Sequence, residues 1–320
     1  QLPQVLQDFS FYIPVVGHIF PFAEFGAKAA AILCILFLTG INYTGVIFGG
    51  VVQSVITFIK IASIVCLSIF LFASGAGSFT NISTGFAIPE ATSTNLISLL
   101  GLALAGAFWA YDGWNNVTFV AGEIKNPQRN VPLGLMFGTL IVIFVYLLVN
   151  AAYLYVLPVE RMANSPLVAA TAAEIIFGHS GAALISIAVI VSTFVALNGS
   201  ILSTARVCFA MSRNSMFFKK LGEIHPKFGT PHTSLIAQGL WSCILVLSGT
   251  FDTITDYVIF AAWLFYMLGA YGVIVLRRKM PDAPRPYKVW GYPYTPIIFV
   301  IFSLLFLINT IISDLGNAAM

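Results

Sequence analysis

Apolar residues run along this chain in long stretches separated by short polar or proline-bearing breaks. About 20 such residues make one helical crossing of a bilayer. Eight segments qualify: 27–45, 46–74, 94–121, 132–157, 181–210, 233–249, 253–276 and 294–313. A helix satisfies every backbone N–H and C=O internally, so the pattern predicts an all-α bundle embedded in lipid. The breaks are Ser74 to Ser93, Glu123 to Pro132, Pro158 to Pro166, Arg213 to Pro231 and Arg277 to Pro293. Pro281, Pro284 and Pro286 prevent the last of these from continuing as helix.

Composition agrees. Of 320 residues, 59% are apolar and 8% charged, with mean hydropathy +0.93, too few polar groups to cover a water-soluble surface. The net charge of +3 is modest, and the basic residues form short clusters without interleaved aromatics, which argues against nucleic acid as a partner. Their placement sets topology instead. Lys125 and Arg129, then Arg206, Arg213, Lys219, Lys220 and Lys227, then Arg277, Arg278, Lys279, Arg285 and Lys288 fall on one side of the eight crossings. The other side holds Lys28 and Arg161, so the bias is twelve against two and the richer side is cytoplasmic. Both ends of the chain are then external.

Cys34, Cys66, Cys208 and Cys243 lie inside apolar runs without metal-like spacing and read as small packing residues. His18, His179, His225 and His232 fall outside the runs and form no ligand pair at helical spacing, so no metal is expected. The chain begins at Gln1 with no charged n-region and is expected to continue upstream. No zinc-protease, phosphate-loop or cofactor pattern stands out, and no histidine or aspartate is placed to activate a serine. An enzyme and a cofactor are therefore not expected.

Two ionisable residues sit deep inside the apolar segments, Lys60 and Asp112. Each costs about 2.5–3.5 kcal/mol at a helix centre, so each needs a partner or water, and a structural ion pair or snorkelling would serve as well as a functional site. Asp112 lies within Phe108-Trp109-Ala110-Tyr111-Asp112-Gly113-Trp114-Asn115-Asn116. Asp, Gly and Asn are poor helix formers whose side chains compete for backbone groups, so the helix is expected to open here onto a cavity, with freed carbonyls and a half-helix N-terminus facing it. An ordinary kink with the aromatics as packing is the alternative. Asn198-Gly199-Ser200 suits close helix packing, and Phe260, Trp263, Phe265 and Tyr266 form an aromatic stripe that is more often core than pocket.

The stretch FWAYDGWNNVTFVAGEIKNPQRNVP (Phe108 to Pro132) resembles the sixth helix and following loop of the amino acid/polyamine/organocation superfamily, and within it the L-type amino acid transporter family. LNGSILSTARVCFAMSRNS (Leu197 to Ser215), IHPKFGTP (Ile224 to Pro231) and LRRKMPDAPRPYKV (Leu276 to Val289) resemble it in the same order. The resemblance implies a LeuT-type bundle of two inverted five-helix repeats followed by two helices. The eight segments then correspond to helices four to eleven. Residues 1–26 would be the end of helix three and an external loop, 27–314 the transporter domain and 315–320 an external tail. Helices one to three and twelve would be absent, and with them the first broken helix that binds the substrate carboxylate, so the fragment alone is not expected to transport.

Carried over by position, Trp109 stands where the family has its aromatic gate. Tyr111, Asp112, Gly113, Trp114 and Asn115 form the unwound segment whose carbonyls accept from a substrate ammonium, and Phe260 and Trp263 line the pocket from helix ten. Lys60 stands where sodium-coupled relatives hold a sodium ion, with Ser200 as its neighbour. The resemblance thus implies alternating-access, sodium-independent exchange of neutral amino acids at the plasma membrane. Asp112 departs from the glycine of many animal members, which leaves open a proton-coupled symporter of amino acids or polyamines. No cysteine lies between Gln1 and Gly26 to attach an accessory chain by a disulfide, so a stand-alone bacterial inner-membrane carrier is expected, with amino acid and membrane lipid as partners. A channel or membrane receptor is the rival from another class.

Overall fold

Long helices form along the apolar runs, and most end where glycine, asparagine or proline accumulates. The computed structural model describes residues 9–13, 17–45, 49–85, 93–249, 251–285 and 287–318. Two short strands, β1 (Phe11–Ile13) and β2 (Gly17–Ile19), pair antiparallel, with Tyr12 opposite His18. Helices follow: α1 (Phe25–Tyr43), α2 (Gly49–Ala73), α3 (Phe79–Gly85), α4 (Ser93–Ala110), α5 (Asn116–Phe119), α6 (Pro127–Val156), α7 (Val159–Ala163), α8 (Val168–Arg213), α9 (His232–Ser248), α10 (Phe251–Lys279) and α11 (Tyr294–Ala318). Short 3-10 turns occupy Ala121–Glu123 and Lys219–Gly222.

Six of the described helices are long and apolar enough to cross a membrane. The other two expected crossings are shorter. The segment expected at 94–121 stops being α4 at Ala110, and that expected at 233–249 is the 17-residue α9. Three further differences have local causes. A strand pair lies within 1–26, where the end of a helix and an external loop were expected; residues 1–8 and 14–16 lie outside the described residues, and α1 begins at Phe25. Helix α6 starts at Pro127 rather than at residue 132, because proline at a first helical position forfeits no hydrogen bond. Helix α11 runs through to Ala318 into the expected tail, no proline intervening.

Helix α8 is two arms joined at Gly178, whose φ of +64° and ψ of −163° are non-helical. Only glycine enters such a conformation cheaply. The arms serve two cores. Ala172 and Ala173 pack with Leu67 and Leu71 of α2 and with Ala152, Tyr155 and Val156 of α6. Beyond the elbow, Ile201 and Ala205 pack with Leu38 of α1 and Leu235 of α9. Ala152, Ala172, Ala173 and Ala205 among these residues let the helices approach closely, which helix association in lipid depends on. Gly239 of α9 shows how close: a methyl there would meet the Thr39 hydroxyl of α1 at 2.8 Å.

Buried polar groups are mostly absorbed locally. The hydroxyls of Ser68 and Ser303 donate to the carbonyls of Ile64 and Phe299, four residues back. The Lys28 ammonium donates to the Phe20 carbonyl at 2.7 Å, tying the segment after the strand pair to α1. The amide of Asn42 bridges helices, donating to Asn198 Oδ1 at 2.8 Å as well as to the Leu38 carbonyl at 2.9 Å. Asn198 thus serves packing between α1 and α8. Asn42→Ala and Asn198→Ala are each expected to cost about 0.6–1.7 kcal/mol in the membrane. Thermal unfolding of both single variants and the double variant checks this; strictly additive losses would show that the amides act separately.

Candidate functional site

The site is built where α4 gives way. Tyr111 N–H still donates to the Ala107 carbonyl at 3.1 Å, but Asp112 N–H tightens onto Trp109 at 3.1 Å, and residues 111–115 are turn. Gly113 has φ +89°, a value L side chains rarely adopt. The helix therefore opens at the Asp-Gly-Trp-Asn run. It does not resume as a long half-helix: α5 is a single turn that passes into the Ala121–Glu123 turn, and Asn126 at φ +50° leads into α6. A four-residue helix carries little dipole, so the expected half-helix N-terminus contributes little here.

The carbonyls are unequally engaged. That of Gly113 accepts from Asn116 N–H at 3.1 Å, and that of Asn115 accepts from Thr118 N–H at 2.9 Å and from its hydroxyl at 2.7 Å. The Tyr146 hydroxyl on α6 donates to the Ala110 carbonyl at 3.0 Å, and its ring lies 5.0 Å from that of Tyr111. Among the described residues, no backbone N–H donates to the carbonyls of Tyr111 and Asp112.

On one side of the break, a small cavity of about 60 Å³ lies against α10. Its walls include Tyr111, Asp112, Trp114, Trp263 and Tyr266. Tyr266 donates its hydroxyl to Asp112 Oδ1 at 3.1 Å, and its ring lies 5.5 Å from that of Trp114. Trp263 is fixed from behind: its ring centroid is 4.0 Å from Phe108 and 5.3 Å from Phe306 of α11, and it stacks on Phe299. On the other side, an open space of about 660 Å³ lies between Tyr111–Trp114 and the α6 face bearing Gly134, Gly138 and Tyr146. Space thus borders the break on both faces.

Of the residues singled out in the sequence, Tyr111, Asp112, Gly113, Trp114 and Trp263 border these cavities. Asn115 lies in the turn as the residue before α5. Trp109, 39% exposed, and Phe260 line neither cavity; their neighbours Phe108, Ile259 and Ala262 do. Lys60 and Ser200 are not joined. The Lys60 ammonium donates to the Ser192 carbonyl of α8 at 2.6 Å. Ser200 lies two helical turns further on, about 12 Å along the axis, and is exposed. Lysine reaches the expected helix, but an earlier turn of it. Tyr146 was missed by sequence reasoning, and Tyr266 had only its place in an aromatic stripe. The signal for Tyr266 was its spacing of three from Trp263, which puts both on one helix face.

Known proteins resemble this chain over most of its length. Residues 16–318 match the family described as "Amino acid permease". The chain is 32% identical over 304 residues to the serine/threonine exchanger SteT of Bacillus subtilis, covering 94% of this chain and 67% of that protein. It is 33% identical over 290 residues to the mouse b(0,+)-type amino acid transporter 1, covering 90% and 58%. It is 31% identical over 318 residues to the mouse large neutral amino acids transporter small subunit 2, covering 96% and 57%. The chain thus spans between about half and two thirds of the length of these relatives. With its helical bundle, its opened α4 and a match across nearly its whole length, this chain belongs to the amino acid permease family of the amino acid/polyamine/organocation superfamily, a family of transporters and not of enzymes.

Proposed function

We propose that the protein is a plasma-membrane amino acid carrier working by alternating access, and that it exchanges neutral amino acids without sodium. The observation that carries this reading is the opened backbone at Tyr111–Asn115, where, among the described residues, the Tyr111 and Asp112 carbonyls accept from no backbone N–H and space lies on two faces. The carbonyls of Tyr111 and Asp112 would accept from the substrate ammonium, while Trp114, Trp263 and Tyr266 would enclose its side chain. The described helices correspond in this reading to helices four to eleven of a LeuT-type bundle, and residues 27–314 are its transporter domain. Trp109 is the candidate gate. It stands next to the break, three residues before Asp112.

Lys60 supplies a fixed ammonium between α2 and α8, where a sodium ion would otherwise hold the helices together. Relatives named as exchangers and amino acid transporters support the substrate class. The absence of cysteine between Gln1 and Gly26 supports a carrier that works without a disulfide-linked accessory chain, in a bacterial inner membrane.

The test uses full-length protein in sealed vesicles. Exchange predicts that labelled amino acid enters only when unlabelled amino acid is inside, and that replacing sodium by choline changes nothing. Single-channel current steps in a bilayer recording would overturn the carrier reading.

One observation favours a second reading, proton-coupled symport: Asp112 places a carboxylate inside the break. Its bond to Tyr266 gives a second prediction. Tyr266→Phe removes the donor and leaves Asp112 with one partner fewer, an effect of about 1.5–3 kcal/mol for a hydrogen bond to a charged group. Roughly a tenfold or greater rise in KM is expected under either reading, but only under symport does a pH gradient drive uptake into empty vesicles and the variant alter its pH profile. A pH profile unchanged by Tyr266→Phe, with no uptake into empty vesicles, dismisses symport.

A further inference from the structure

The loop joining α10 to α11 is a folded element with cations to spare. Arg285 turns back to donate to the carbonyls of Pro281 at 2.8 Å and Ala283 at 2.9 Å, and also to that of Met280, at the end of α10. The Arg277 guanidinium lies over the Tyr292 ring, 3.8 Å from its centroid. Gly291 turns the chain at φ +66°, and the Thr295 hydroxyl donates to the Trp290 carbonyl, which fixes the start of α11. Two of the loop's five cationic side chains are therefore occupied in holding its shape.

The other three, Arg278, Lys279 and Lys288, are exposed and make no ion pair among the described residues. One carboxylate, Asp282, lies in the same stretch. Beside the cations, Trp290 is 79% and Tyr294 73% exposed. Amphipathic rings next to unpaired cations suit neither bulk water nor hydrocarbon. They suit the interfacial zone, where Trp and Tyr rings sit at headgroup depth and Lys and Arg meet phosphate. The asymmetry of lysine and arginine places this loop on the cytoplasmic side, whose leaflet carries the anionic lipid.

We propose that residues 277–294 form a docking site for the headgroup of an anionic phospholipid of the cytoplasmic leaflet. Arg278, Lys279 and Lys288 contact the phosphate, and Trp290 and Tyr294 seat the loop at headgroup depth. Arg285 and Arg277 are engaged within the loop, which leaves Arg278, Lys279 and Lys288 as its exposed cations to meet a headgroup. Transport plays no part in the argument, so failure of the carrier reading would leave it standing.

The experiment titrates full-length protein in neutral detergent with short-chain phosphatidylglycerol or phosphatidylcholine. The unfolding midpoint is followed, and retained lipid is counted by native mass spectrometry. Phosphatidylglycerol is expected to raise the midpoint and to bind roughly tenfold or more tightly than phosphatidylcholine. Lys288→Gln should weaken its binding by about fivefold, and the triple variant with Arg278→Gln and Lys279→Gln should abolish the preference, since each cation near the surface contributes about that factor. Equal response to both lipids in the wild type would overturn the proposal. So would a triple variant that keeps wild-type selectivity, or inorganic phosphate matching the lipid, which would mark a free-anion site instead.

Discussion

Replacing Lys60 by alanine is expected to cut uptake into reconstituted vesicles by roughly tenfold to a hundredfold while leaving the amount of folded protein unchanged. The two halves of this result have separate causes. Removing a cation from an apolar helix relieves an insertion cost of about 2.5–3.5 kcal/mol, so assembly should not suffer. What is lost is the 2.6 Å bond from the ammonium to the Ser192 carbonyl, which joins α2 to the arm of α8 beyond its elbow. A hydrogen bond to a charged group carries about 1.5–3 kcal/mol, which converts to the range stated. Lys60→Arg should recover only part of the activity, because a planar guanidinium cannot take the place of a compact ammonium. Uptake of labelled amino acid normalised to surface protein is the measurement. A variant transporting as well as wild type would reduce Lys60 to a packing element.

Gly113→Val should also abolish uptake, and by a different route. Space does not forbid a side chain: a methyl at this position would come no nearer than 3.4 Å to another atom, the Asn116 amide. The obstacle is φ of +89°, which a β-branched residue reaches only at a cost of about 1–3 kcal/mol. Valine therefore drives the backbone back toward helix or extended chain and redirects the Tyr111 and Asp112 carbonyls. Gly113→Ala, with less steric demand, should retain measurable uptake. Comparing KM with maximal rate across the two variants, alongside unfolding midpoints, separates a lost site from a lost fold. Wild-type KM in Gly113→Val would mean that these carbonyls do not touch the substrate.

The sequence made the crossings legible because length and apolarity are what a bilayer selects. Segments expected at 27–45 and 294–313 became α1 and α11 with boundaries shifted by a few residues at most, save the C-terminal run of α11 to Ala318. The opening around Asp112 and Gly113 was legible too, since poor helix formers at the centre of an apolar run have few other uses. Less legible was what depends on partners far along the chain. Tyr146 and Ala110 are 36 residues apart, and nothing local says that a tyrosine in α6 will bond that carbonyl. Lys60 and Ser192 are 132 apart, so the sequence suggested the helix but missed the turn by two. The elbow of α8 was hidden for the opposite reason: Gly178 fell in neither an expected crossing nor an expected break, whereas helix continues on both sides of it.

The bond from Tyr146 to Ala110 has a mechanical consequence. One end is anchored on a 30-residue helix and the other on the last residue of α4, so a tilt of α6 would tug on the stretch of backbone whose oxygens are proposed to meet cargo. A change of posture in the scaffold and a change of grip on the passenger would then be a single event. In that arrangement the phenol works as a hinge pin, and its removal would let the two movements drift apart.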